Sequence, residues 1–72
     1  MMSEMEIDYQ LVEEDRSGVH SLSSGSQVID FLEDLDLNPE TVVVERNGKI
    51  ISELEELEDK DKLKIIPVVS GG

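Results

Sequence analysis

The sequence predicts an α+β domain, a mixed β-sheet with one main helix packed on one face. Three observations carry this: apolar residues alternate with polar ones near both ends of the chain, a short central segment has helical apolar spacing, and an Asn-Gly turn separates two β-branched runs. With 72 residues there is room for one small domain. Leu, Ile, Val and Phe account for 23 of them, above the ~20% below which a highly charged chain stays disordered, so a folded core is expected.

Between Glu6 and Glu13, Ile7, Tyr9 and Leu11 alternate with Asp8, Gln10 and Val12, the period of a strand with one buried face. The segment Glu14-Asp15-Arg16-Ser17-Gly18 is turn-forming, and Val19 to Leu22 returns as a second strand, giving a hairpin. Ser23-Ser24-Gly25-Ser26 is a small-polar loop, with Ser26 the expected N-cap of a helix. In that helix Val28, Phe31, Leu32 and Leu35 recur at i, i+3, i+4 and i+7, while Asp30, Glu33 and Asp34 fall on the other side. Asn38-Pro39 is expected to end it, because proline disfavours helical geometry in the residue before it.

Thr41 to Arg46 is β-branched and reads as a strand, Asn47-Gly48 is the dipeptide that type I′ hairpin turns prefer, and Lys49 to Ser52 makes the return. Glu53 to Asp61 is strongly acidic; Leu54 and Leu57, three apart, predict a loop or single helical turn held by both leucines. Lys62 to Val69 reads as a strand with Leu63 and Ile65 on one face and Lys64, Ile66 and Val68 on the other. The order ββαββ(turn)β is that of the ubiquitin-like β-grasp fold. Residues 1–5 are expected to be a disordered N-terminus, 6–68 the domain, and 69–72 a flexible tail ending in Gly-Gly.

The charge is −12, from 18 acids against 6 bases. Such a surface repels nucleic acid and anionic lipid, so neither is an expected partner; a basic protein is. No cysteine is present, which excludes disulfides, thiolate metal sites and a cysteine nucleophile. The acidic start Met-Met-Ser-Glu-Met-Glu lacks the basic residues of a targeting peptide, and no apolar run approaches the ~20 residues of a membrane span, so a soluble, cytoplasmic protein is expected. When free it is expected to be a monomer. A domain this short buries only about 60% of its unfolded surface and has little room for an enclosed active site, so an autonomous enzyme is not expected.

The segments Gly25 to Leu32, Pro39 to Gly48, and Leu63 to Gly72 together resemble, in order and at matching spacing, the ubiquitin-like sulfur carriers and modifiers of bacteria and archaea. That family includes the thiamine-pathway sulfur carrier, the small subunit of molybdopterin synthase and the small archaeal modifier proteins. The weight rests on a strand that runs into a terminal Gly-Gly, which average glycine usage would produce by chance in about 0.5% of chains. Two positions depart from the family pattern: Gln27 stands where members often carry Thr, and Lys60-Asp61 stands where they often carry Gly-Asp. The latter opens the shape of that turn to change. The ending Ile66-Pro67-Val68-Val69-Ser70 is similar in part to each of two subfamilies, so the subfamily stays open.

The resemblance implies a co-substrate rather than an enzyme. The Gly72 carboxylate would be adenylated by an ATP-dependent, ubiquitin-activating-type enzyme, with no cofactor bound by the carrier itself. The acyl-adenylate would then pass to a sulfur donor, giving a thiocarboxylate for a biosynthetic synthase, or to target-protein lysines, giving an isopeptide bond. Gly71 and Gly72 suit a tail threading a narrow channel, because residues without Cβ crowd nothing. Four extended residues beyond Val68 reach roughly 14 Å, enough to enter a partner's pocket.

Activation also needs a docking surface, and Ile66 and Val68 with Val43 on a neighbouring strand are the expected apolar patch, with Ser70 at the tail's root. The acids from Glu53 to Asp61 lack the spacing and glycine of a calcium loop and read as a solvated face, or one attracted to a basic rim on the activating enzyme. His20 stands alone in sequence and reads as an ordinary strand residue, and Lys49, Lys60, Lys62 and Lys64 read as plain surface lysines. The competing reading from another class is a β-grasp interaction module with no activated tail. A small-molecule-binding regulatory domain would need a pocket that this length barely permits.

Overall fold

The computed structural model describes residues 3–68. In chain order the elements are β1 (Glu4–Leu11), β2 (Arg16–Ser23), α1 (Val28–Asp34), β3 (Val42–Arg46), β4 (Lys49–Ile51) and β5 (Lys62–Pro67). The strands form one five-stranded mixed sheet in the order β2-β1-β5-β3-β4. β5 runs parallel to β1 and antiparallel to β3, so the last strand joins the two hairpins into one sheet. Helix α1 covers one face, where Val28, Phe31 and Leu32 pack with Met5, Ile7, Leu22, Val44, Leu57, Leu63 and Ile65. Tyr9 and His20 each set an edge against the Phe31 ring, at centroid distances of 5.6 and 5.9 Å.

β1 begins at Glu4, two residues before the expected Glu6. Met5 continues the parity of Ile7, lies opposite Leu22 and is buried, and the Ser3 carbonyl accepts the Ser24 N–H at 2.9 Å. Residues 3–5 therefore belong to the folded domain rather than to a disordered terminus. The first turn is confined to residues 12–15, and β2 starts at Arg16 rather than Val19. Gly18, expected in the turn, pairs with Tyr9, whose ring lies across the space a side chain would fill.

Both helix ends differ from expectation. The cap residue is Gln27, not Ser26, because backbone rather than a serine hydroxyl satisfies the first amides: Val28 and Ile29 donate to the carbonyls of Glu55 and Glu53 at 2.9 and 2.8 Å. Ser26 instead gives its carbonyl to the Leu57 N–H at 2.9 Å. Gln27 secures the same junction, its N–H donating to the Asp30 carboxylate and its side-chain amide to the Leu54 carbonyl, both at 2.9 Å.

The helix stops at Asp34, ahead of Asn38-Pro39. Asp36 takes the left-handed conformation (φ 58), its N–H donates to the Glu33 carbonyl at 3.0 Å, and the Leu37 N–H donates to the Leu32 carbonyl at 2.8 Å. This is a Schellman closure with aspartate in the place usually given to glycine.

The Asn47-Gly48 turn has positive φ at both residues (55 and 82), as a type I′ turn requires, and sets the register Arg46 opposite Lys49. The acidic segment contains no helical turn. Leu57 is buried but Leu54 is 64% exposed, because spacing by three shares a face only on a helix and this segment turns instead at residues 53–54 and 59–60.

Candidate functional site

The alternation of β5 sends Leu63 and Ile65 into the core and leaves Lys62, Lys64 and Ile66 on the face away from the helix. Val43 of β3 is the direct partner of Ile66 in the β3–β5 register, so both side chains lie on that outer face within reach of one another. Val68 follows on the same parity and is 42% exposed. Its N–H donates to the Thr41 carbonyl at 2.9 Å, one rung past the end of β5. Val43, Ile66 and Val68 thus share one end of the outer face, where the described residues stop. Ser70, Gly71 and Gly72 lie outside the described residues.

Ile50 joins this surface and is absent from the sequence-based set. It pairs with Glu45 on the outer face, is 68% exposed, and lines with Val43, Pro39 and Leu32 a shallow depression beside β3. The signal was available: a two-residue turn that pairs Arg46 with Lys49 places Ile50 opposite Glu45 and so on the parity of Val43. Toward the other end of β5 the outer face is polar, with Lys62 opposite Asp8 and Lys64 between Gln10 and Glu45.

The acids of the long loop are partly engaged. Arg46 donates through Nη1 to Asp61 Oδ2 at 3.2 Å and to the Glu56 carbonyl at 3.1 Å, and through Nη2 to Glu55 Oε1 at 3.4 Å. Asp61 Oδ2 also accepts the Glu58 N–H at 2.9 Å, and Asp59 Oδ1 accepts the Glu6 N–H at 2.8 Å. These carboxylates organise the loop, and among the described residues no group of three or more His, Asp or Glu is arranged to hold a metal ion. His20 is less solitary than its sequence context: Asp34, 14 residues on, brings Oδ2 to 3.0 Å from Nε2. Lys49, Lys60, Lys62 and Lys64 are all exposed, as read from the sequence.

Similarity to known proteins agrees with this architecture. The model of the ThiS family matches residues 6–72. The sulfur carrier protein TtuB of Thermus thermophilus is 40% identical over 43 residues, 60% of this chain and 66% of that protein, just under two thirds of its length. Among solved structures, SAMP1 from Haloferax volcanii superposes with a TM-score of 0.71 at 23% identity, covering 93% of this chain and 99% of that one. The N-terminal ubiquitin-like domain of the 4931431F19Rik protein gives 0.74 at 17% identity, covering 96% and 79%. At these identities the two structures speak to the fold, which is the ubiquitin-like β-grasp, and the family follows from the sequence match along nearly the whole chain: the protein belongs to the ThiS family of ubiquitin-like sulfur carriers.

Proposed function

We propose that the Gly72 carboxylate is the working group of this protein, activated by a separate ATP-dependent adenylating enzyme and then loaded with sulfur. The observation that carries the reading is that the family match continues through residue 72, over the terminal Ser70-Gly71-Gly72 as well as the domain. A carboxylate oxygen attacks the α-phosphorus of ATP and pyrophosphate leaves. A sulfide-level sulfur donor then attacks the carbonyl carbon, AMP leaves, and a thiocarboxylate remains. The same acyl-adenylate can be taken by a lysine amine of a target protein, which joins the two chains by an isopeptide bond. ATP is consumed by the partner, and the reading sets both steps in the cytoplasm.

The domain's contribution is presentation. Val68 is held to Thr41, and an apolar surface of Val43, Ile66, Val68 and Ile50 borders the exit. That surface is the proposed seat of the activating enzyme, because contiguous exposed apolar area next to a reacting group marks an interaction site. Intact mass measurement on the protein from its own cells tests the function. A mass increase of one sulfur for one oxygen at the C-terminus establishes the carrier, and Gly72 joined to lysines of other proteins establishes the modifier. An unmodified carboxylate that the host's adenylating enzyme and ATP leave untouched would end the proposal and leave an interaction module.

A further inference from the structure

The two edges of the sheet are built differently. The β4 edge is three residues long and opens with Lys49, two of the usual devices that keep an edge from pairing with another chain. The β2 edge is eight residues long, pairs with β1 in unbroken register without a bulge and carries no proline; Arg16, which opens it, is ion-paired with Glu14 at 3.5 Å, and no lysine follows. It also holds the longest acid-free run of the chain: residues 16–29 contain none of the 18 acids.

The hydrogen-bond parity identifies which groups this edge offers. The Ser24 N–H donates to the Ser3 carbonyl, so Ser3 and Ser24 form a hydrogen-bonded pair, and so by alternation do Met5 with Leu22, Ile7 with His20, and Tyr9 with Gly18. Ser17, Val19, Ser21 and Ser23 therefore turn their N–H and C=O groups away from β1, and of these the Ser23 carbonyl already accepts the Ser26 N–H at 3.1 Å, so that residue offers only its N–H. Among the described residues no strand lies beyond them. Their side chains leave room for a neighbour, with Val19 60% exposed between small serines.

From these features we propose that β2 is a strand-addition site for an extended segment of a partner protein, with an uncharged β-forming centre and basic flanks. Charge complementarity decides the occupant. Glu13, Glu14 and Asp15 stand at one end of the edge, with Glu14 paired to Arg16, and Glu4, Asp30 and Asp34 line the depression with Ser21–Ser26 at the other. A second copy of this chain would bring two bodies of charge −12 together along their length, which long-range repulsion opposes. The site is separate from the tail and does not depend on Gly72 being activated.

Hydrogen exchange followed by NMR on the full chain tests this with the peptide acetyl-KKVTVTVKK-amide, its Glu-flanked counterpart, and a KKVPVPVKK control. Addition of the basic peptide is expected to slow the Ser17, Val19, Ser21 and Ser23 amides by about tenfold at roughly ten times its Kd, with the other two peptides inert. Ser21→Pro removes an outward N–H and should abolish the effect, and Val19→Lys, which leaves the backbone intact, should weaken it if the proline variant fails to fold. No protection by the basic peptide, equal protection by the Glu-flanked one, or protection that grows with protein concentration in the absence of peptide would each overturn the proposal, the last by revealing a second copy as the occupant.

Discussion

Arg46 reaches Asp61, 15 residues further along the chain, with Nη1 3.2 Å from Oδ2 and both side chains largely withdrawn from solvent. The pair ties the end of β3 to the residue that leads into β5, and the same guanidinium holds the carbonyl of Glu56. The acidic loop is thereby fixed in the shape that lets its backbone cap helix α1.

Replacing Arg46 by Met keeps the aliphatic stem and removes every one of these bonds. Asp61 would keep only the Glu58 N–H, so a loss of about 2 kcal/mol is expected, in the range for hydrogen bonds to charged groups. Urea unfolding followed by circular dichroism measures it. A change smaller than a few tenths of a kcal/mol would mean the loop holds its shape without the arginine.

Lys60 sits at φ 68 in the turn before β5, where its N–H donates to the Glu6 carbonyl at 2.8 Å. The left-handed shape is kept although a lysine stands where related sequences often place glycine, and the side chain bears the steric cost. Lys60→Gly is expected to stabilise the domain by about 0.5–1 kcal/mol, raising Tm by several degrees. Calorimetry that finds Tm lowered would refute it.

A Cβ on Gly18 would stand 2.8 Å from the Tyr9 hydroxyl and 3.0 Å from the ring carbon that bears it. Gly18→Ala should push the ring off its edge contact with Phe31 and cost about 1 kcal/mol. Tyr9 is the only tyrosine and there is no tryptophan, so near-UV circular dichroism reports its surroundings directly. The tyrosine band should shrink while the far-UV spectrum stays.

With 18 acids and 6 bases the folded chain repels itself, and salt screens exposed charges at distances beyond about 10 Å at 0.1 M. The urea midpoint is expected to rise with added NaCl. The partly buried Arg46–Asp61 pair is screened less and should not reverse the trend. A flat or falling midpoint would show that local pairs outweigh the net charge.

Ile66→Glu places a charge in the outer apolar surface without touching the core face of β5. Under the proposed function, adenylation measured by pyrophosphate exchange should fall at least tenfold in kcat/KM, about 1.4 kcal/mol, while Tm changes little. An unchanged rate would move the docking surface elsewhere.

Much of this fold was legible because its signals are local. The alternation through Ile7, Tyr9 and Leu11, the helical spacing of Val28, Phe31 and Leu32, and Asn47-Gly48 each specify their geometry within a few residues. The errors arose where distant backbone supplied what a side chain was expected to supply. Ser26 was the reasonable cap by residue type, but the carbonyls of Glu53 and Glu55, far along the chain, took the helix amides first. Leu54 reads as a core residue only if its segment is helical, but it stands in the turn at residues 53–54, just before the bridge between Gln27 and Glu56. On the outer face, Val43 and Ile66 followed from strand parity, whereas Ile50 needed the hairpin register to be carried one strand further.

The position of β5 also governs the order of events during synthesis. The hairpins β1–β2 and β3–β4 are each local in the chain, but the strand between them comes from residues 62–67 and pairs with both. A nascent chain still on the ribosome cannot close its sheet until that strand has cleared the exit tunnel, and until then the inner faces of both hairpins stay exposed. Closure of the sheet therefore has to wait for residues 62–67, and chains interrupted before β5 should be open to proteolysis.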